Sequence, residues 1–383
     1  TYKVNDGTSD SDVKTVTFDI LEFIRSYGNG YHINSLDMIK SFSGSIYYFI
    51  SDRDPDGNGS FEGNGIEMQF EIDENLNILN STEDYIFGDG FDECGAFLES
   101  KEIVKTQNNY IINCNLIRIY DSSLNLISTY DFENLPNDSY SYWGKTVEGL
   151  SDGNFLLAGK KGIPSSSATE KPFIMKFDLQ GNILWNKEFD NITDYYGNSV
   201  REFYKVKELS NGNIFVIVNG SAYVMLDTNG DLLWVLKENG MRKTKNVIEK
   251  NNFIYIYNEA NSFQKLSFDG TEFTNFYMTN RPNQNRKSFL LHSSGDFIIV
   301  GLTFGFNQSA GNIYITRIDE NGTIIYETLL DPSLSKSKYQ HSVFSVVESS
   351  DNQLLLLIEP RPNTDLGPGI MKVDANDGTK LLP

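Results

Sequence analysis

One line of sequence recurs through the chain at a near-constant spacing. It reads MKFDLQGNILW at residues 175–185, MLDTNGDLLW at 225–234 and RIDENGTIIY at 317–326. With its Asp as anchor, related lines fall at Asp73, Asp121, Asp178, Asp227, Asp269, Asp319 and Asp374, separated by 42 to 57 residues. Periods of this size mark solenoids, propellers or arrays, because one such unit cannot bury its apolar face alone.

Each copy has a legible interior. The residue before the anchor is apolar or aromatic in all seven: Ile72, Tyr120, Phe177, Leu226, Phe268, Ile318 and Val373. The residue before that is polar in most copies (Glu71, Lys176, Ser267, Arg317, Lys372), the alternation of a half-buried strand. The Asp and the Gly, Asn or Ser after it supply turn chemistry, and a second apolar run (NIL, DLL, TII) follows, which makes a β-hairpin. Upstream lies another strand pair, clearest in VEGLSDGNFLLAGK, VKELSNGNIFVIVNG and FLLHSSGDFIIVGL, with turns at Gly153, Gly212 and Gly295. The runs FLLAG, IFVIV and FIIVG are apolar at almost every position, so their sheets are covered on both faces. No 12-residue segment shows a capped helical period, so little helix is expected.

Four-stranded antiparallel units, each shielding the next, predict an all-β, seven-bladed β-propeller, with six to eight blades compatible with the 42-residue interval before Asp269. The last copy ends at DGTKLLP, too short for an outer strand, while VTFDILEFIRSYGNG near the start looks like the end of a repeat. Residues 16–24 are therefore expected to form the N-terminal strand completing the last blade. Residues 1–15 read as a flexible N-terminal tether and 16–383 as a single β-propeller domain.

Composition narrows the partners. The 32 Lys and Arg face 52 Asp and Glu, a formal charge of -20, which disfavours nucleic acid and anionic lipid and favours hard cations such as calcium. The two cysteines, Cys94 in an expected loop and Cys114 in an expected strand, read as free thiols rather than a disulfide framework. No apolar run is long enough for a transmembrane segment, and the polar opening TYKVNDGTSDSD shows no signal peptide, as expected of a mature form.

The line KFDLQGNILWNKEF resembles the repeat of bacterial exported β-propellers of the quinoprotein-like type, including uncharacterised surface lipoproteins of gut Bacteroidetes. The final VDANDGTKLL is similar to that repeat's Asp-x-x-x-Gly-x-x-Trp pattern without the Trp. Trp185 and Trp234 occupy the family's docking position and Tyr326 substitutes once, whereas Asn80 and Ser128 depart from it. There is no adjacent cysteine pair, and no quinone cofactor is expected. The resemblance implies export, to the outer membrane, cell surface or periplasm, with a lipid anchor outside the given chain compatible with it.

In a propeller the loops from the outer strand of one blade to the inner strand of the next share a face, and here they are the longer, more irregular ones. Several hold aromatics beside a Gly: RSYGNGYHI, DSYSYWGKTV and TDYYGNSV, with SKSKYQHSV keeping the Tyr. The expected ligand-binding residues are Tyr27, Tyr31, His32, Tyr142, Trp143, Tyr195, Tyr196, Tyr339 and His341, since Tyr and Trp give rigid amphipathic contact area. A role in wedging blades together is the competing reading for these aromatics. His32 and His341 fall at matching positions before the inner strands of the first and last blades, whereas His292 reads as structural.

The stretch SDRDPDGNGSFEGNG, residues 51–65, alternates oxygen ligands at Asp52, Asp54, Asp56, Asn58 and Glu62 around Gly57, as the first half of a calcium loop does. Gly63 stands where an EF-hand needs Glu, so a solvated acidic connection is the alternative.

No Gly-x-Ser-x-Gly elbow, Walker loop or His-Glu-x-x-His is present. The expected function is a non-catalytic exported binding protein presenting a face to a glycan, peptide or surface protein. The alternatives are a structural subunit of a surface assembly, or a glycoside hydrolase or lyase with unassigned carboxylates.

Overall fold

The computed structural model describes residues 33–52, 64–73, 78–87, 102–114, 116–132, 141–163, 166–218, 222–238, 246–258, 262–277, 284–304, 311–330, 343–358 and 369–379. These residues form strands and turns, with no helix among them.

The first sheet holds β1 (Ile33–Lys40), β2 (Ile46–Asp52), β3 (Asn64–Ile72) and β4 (Ile78–Phe87). The second holds β5 (Glu102–Lys105), β6 (Asn109–Cys114), β7 (Leu116–Asp121) and β8 (Leu126–Asp131). The third holds β9 (Ser141–Gly149), β10 (Phe155–Ile163), β11 (Ser166–Phe177) and β12 (Ile183–Glu188). The fourth holds β13 (Phe203–Glu208), β14 (Ile214–Val218), β15 (Ala222–Leu226) and β16 (Leu232–Lys237). The fifth holds β17 (Val247–Lys250), β18 (Phe253–Tyr257), β19 (Ser262–Ser267) and β20 (Phe273–Tyr277). The sixth holds β21 (Gln284–Leu291), β22 (Phe297–Phe304), β23 (Gly311–Ile318) and β24 (Ile324–Leu329). The last sheet has β25 (Val343–Glu348), β26 (Leu354–Ile358) and β27 (Gly369–Val373).

The expectation of seven four-stranded blades is therefore corrected: six blades are four-stranded and antiparallel, and the last sheet has three described strands. The repeat count misleads here because its seventh anchor, Asp374, follows β27 with no described fourth strand after it. The proposed tether and the closing strand at 16–24 lie outside the described residues. First strands of successive sheets meet near the axis: β1 with β5, β5 with β9, β9 with β13, and β21 with β25. β1 also meets β25, so the sheets form a ring.

In the fourth sheet the two middle strands are the most buried. Every residue of β14 (IFVIV) and β15 (AYVML) is buried, whereas β12 and β16 at the outer edge are mostly exposed or half-buried. Alternate residues of one strand face opposite neighbours. In the fourth sheet Val216 and Val224 pack toward the third, while Phe215, Tyr223 and Met225 pack toward the fifth. The apolar runs that follow the anchors form the outer arm of each described hairpin. Their leading pairs, Leu126–Ile127, Ile183–Leu184, Leu232–Leu233 and Ile324–Ile325, are exposed on the rim.

The anchors are Asx turns. At Asp178, Oδ1 accepts from the N–H of Gln180 (2.9 Å) and Asn182 (2.8 Å), and the Asn182 amide donates to Oδ2. Asp121, Asp227 and Asp319 repeat the pair of backbone contacts. In the fifth sheet the role passes from Asp269 to Ser267, whose N–H donates to Glu272 O at 3.0 Å. Asp269 then sits inside the turn and accepts from Thr271 and the Ser267 hydroxyl.

Across five successive seams, an aromatic ring of an outer strand covers the glycine of the next sheet's Asx turn. Tyr130 covers Gly181, Trp185 covers Gly230, Trp234 covers Gly270, Phe276 covers Gly322 and Tyr326 covers Gly378. A Cβ at Gly230 would stand 2.9 Å from the Trp185 ring, and its φ of +79° is costly for any other residue. Donors on three of these rings complete the contact: Tyr130 to Leu179 O, Trp234 to Phe268 O and Tyr326 to Ala375 O, at 3.0 to 3.1 Å. Ser128 departs from the docking position as the sequence indicates, but Tyr130, two residues on and so on the same side of the strand, takes its place. Where the first sheet has Asn80, the following turn carries Leu124 instead of Gly, at φ +67° and buried with Tyr110, Ile112 and Tyr120.

A second repeated clasp joins the turns nearer the axis. The N–H and hydroxyl of Ser151 donate to Glu208 at 2.6 and 3.1 Å, and the same groups of Ser210 donate to Glu249. Ser293 N–H donates to Glu348 at 2.8 Å.

Candidate ligand-binding face

The loop between β12 and β13, residues 189–202, is the best described of the long connections. Ile192 and Val200 are buried in the seam between the third and fourth sheets and pin the loop on both sides of its tip. Val200 N–H donates to Ile192 O at 2.9 Å, and Phe189 packs on Phe203 with ring centroids 5.1 Å apart. The tip itself, DYYGN, is a further Asx turn. Asp194 Oδ1 accepts from Tyr196 N and Asn198 N, both at 2.9 Å, and Gly197 N–H donates to Asp194 O. Thr193 and Ser199 pair as an isolated bridge below it.

This construction leaves Tyr195 and Tyr196 at the turn's centre with no seam to fill. They are 48% and 66% exposed, and their rings meet edge to face at 5.2 Å. Charges brace the loop's flanks: Lys171 to Asp190 at 2.7 Å, Lys145 to Glu202 at 3.7 Å, and Lys237 of the next sheet to the Thr193 hydroxyl. The result is a rigid support for two outward-facing aromatic rings, able to stack on an apolar ligand face while offering two hydroxyls for hydrogen bonds.

The other expected residues divide. Tyr142 is only 2% exposed, meets Phe173 edge to face at 5.1 Å, and lies under Lys161 Nζ at 4.8 Å from its ring. It wedges the second sheet against the third, so its expected ligand role gives way to the packing alternative. Trp143 is half-buried, with Lys160 Nζ 5.0 Å from its ring and that same Lys paired to Glu170 at 2.6 Å. Tyr27, Tyr31, His32, Tyr339 and His341 lie outside the described residues, as do Asp54, Asp56, Asn58 and Glu62 of the acidic stretch. Asp52 ends β2, opposite Ile33 and Ile66. Among the described residues, no group of three or more His, Cys, Asp or Glu is arranged to hold a metal.

His292 occupies the position in the β21–β22 turn that Leu150 and Leu209 hold in the third and fourth sheets. Its Nδ1 lies 2.8 Å from Ser294 Oγ and its Nε2 3.3 Å from Asn352 O. These contacts support the structural reading of this residue. Cys114 closes β6, and Cys94 lies outside the described residues. Sequence reasoning missed the bracing of the 189–202 loop; its signal is the repetition of Asp-x-x-Gly-Asn at 178–182 and 194–198.

No family model matches this chain, and no curated protein matches it. Among solved structures, the WD40 β-propeller domain of Doa1 is similar, with a TM-score of 0.51 at 9% sequence identity over 90% of this chain and 93% of that chain. Together with the ring of antiparallel sheets, six of them four-stranded, the likeness defines the class: the chain is a β-propeller repeat protein. No helix among its described residues is long and apolar enough to cross a membrane.

Proposed function

We propose that this β-propeller is a non-catalytic binding protein of the bacterial quinoprotein-like repeat type, exported to the cell surface or periplasm. It takes a glycan, peptide or surface protein on the face bearing the 189–202 loop. The observation that supports this reading most directly is the exposed Tyr195–Tyr196 pair on a turn pinned by Ile192 and Val200. Function concentrates in loops held on rigid frames, and tyrosine contributes contact area at low entropic cost.

Glycan and peptide arrays probed with the wild-type chain and a Tyr195→Ala/Tyr196→Ala variant test the assignment. Binding lost in the variant at an unchanged melting temperature is the expected result. Binding retained by the variant removes these residues from the site. Turnover of any arrayed glycan would replace the binding reading with an enzymatic one. Surface proteolysis of intact cells and fractionation test export.

Calcium at Asp52, Asp54, Asp56, Asn58 and Glu62 belongs to the same reading. A chelator is expected to lower the melting temperature of the wild type and to leave Asp54→Ala unmoved.

A further inference from the structure

The seam between the fourth and fifth sheets contains an unusual group of buried polar atoms. Gln264 of β19 is fully buried where Met175 and Met371 stand in the third and last sheets. The Tyr223 hydroxyl, across the seam, donates to Gln264 Oε1. That contact turns the amide so that its NH2 points the other way, and Gln264 Nε2 has no hydrogen-bond partner. On the same face of this sheet Ser262 Oγ and Asn275 Oδ1 share this condition.

All three face the same way. Ser262 and Gln264 are two apart on β19, and Asn275 of β20 is the direct cross-strand partner of Gln264. Leu266 and Phe273, which continue the two rows, pack with Phe215 and Tyr223 of the fourth sheet, so this face is turned into the seam. Cross-strand partners on one face hold their Cβ atoms about 4.5–5.5 Å apart, and residues two apart on a strand are about 7 Å apart. Hydrogen bonds of about 2.8 Å to a single oxygen bridge gaps of that size.

The chemistry is also complementary. Gln264 Nε2 is a donor, Asn275 Oδ1 an acceptor and Ser262 Oγ either one. Such groups are rarely left buried and unpaired in a folded chain. We propose that this seam is a binding site for one internal water molecule, which accepts from Gln264 Nε2, donates to Asn275 Oδ1 and exchanges a third bond with Ser262 Oγ. Internal waters make about three hydrogen bonds to groups of this kind. The Tyr223 hydroxyl, held by burial well above its ordinary range, stays protonated and keeps the amide oriented at all physiological pH values.

A crystal structure resolving ordered solvent tests the site directly. Density for one water within bonding distance of all three atoms is expected. A rotated Gln264 amide bonded straight to Asn275, or a seam without density, overturns the proposal. Oxygen-17 relaxation dispersion gives an independent reading, with one long-lived water fewer in Ser262→Ala/Gln264→Leu than in wild type; an equal count overturns it. If that variant fails to fold, the wild-type density alone decides.

Discussion

The seam between the third and fourth sheets and those flanking the fifth solve the same packing problem with different materials. The former is largely aliphatic, with Phe203 and the partly buried Trp185 and Phe189 as its rings: Leu156, Ile174, Val206, Val216, Val224 and Leu226 interdigitate, and among the described residues none of the unpartnered polar atoms lies in it. The latter two use rings and hydroxyls. On one side of the fifth sheet Tyr255, Phe263, Phe289 and Phe297 stack with centroids 4.6 to 5.6 Å apart, and on the other Tyr223 meets Gln264. Tyr255 Oη and Thr316 Oγ1 are buried there without partners. Blade geometry is therefore compatible with two kinds of interior. One is held by volume alone, and the other gives up some apolar area for polar groups that require satisfaction.

The contrast is sharpest under truncation. Leu156→Ala in the aliphatic seam should cost about 2–5 kcal/mol in denaturant unfolding, because the fixed sheets on either side limit collapse into the cavity. A loss under about 1 kcal/mol would mean that the seam yields. Gly230→Ala comes next, at about 1–3 kcal/mol, because the added Cβ meets the Trp185 ring and the backbone is left-handed. Gln264→Leu should cost about 1–3 kcal/mol by the same measurement, since it leaves the buried Tyr223 hydroxyl short of an acceptor. A loss as large as that of Leu156→Ala would erase the distinction between the seams.

The smallest effect is expected in acid. Hydrogen bonds from Asn125, Asn182 and the Asp231 backbone hold the carboxyls of Asp121, Asp178 and Asp227 below the ordinary range, and Ser267 with Thr271 brings Asp269 down to about 2. A depressed folded-state value means that the unfolded chain binds the proton first. The contribution is therefore fully present above about pH 4, the ordinary aspartate value, and is lost as pH falls toward about 2. Acid titration followed by circular dichroism should show the decline confined to that window, and Asp178→Asn should flatten part of it.

The repeat, its strand order and its turn chemistry were legible because they depend on residues close in sequence. Asp178 and Asn182 form their turn with no help from elsewhere. What escaped depends on contacts between sheets. The fifth anchor is displaced to Ser267 because a hydroxyl serves as well as a carboxylate at the start of that turn, and no spacing rule distinguishes them. Tyr130 was missed as a docking aromatic because it sits nine residues after the start of its own turn, whereas Trp185 and Trp234 sit seven after theirs; Phe276 sits seven after Asp269 but nine after Ser267, where its turn begins. The strand preserves the side and not the count. At the candidate face, aromatic residues beside glycine were visible, but their fates were not. Tyr142 and Tyr195 are alike in sequence context, and only the seam at the third sheet decides that one is covered and the other is bare.

The ring-on-glycine contact has a bearing on how such a chain changes length. Five of the outer strands offer much the same plug and the turn that follows each much the same socket, so these blades can be seated against one another. A gene that gains or loses one whole repeat keeps each joint intact, while a cut through the middle of a repeat strands an aromatic with nothing to cover. Growth and shrinkage by complete units is thus the path of least damage for this architecture.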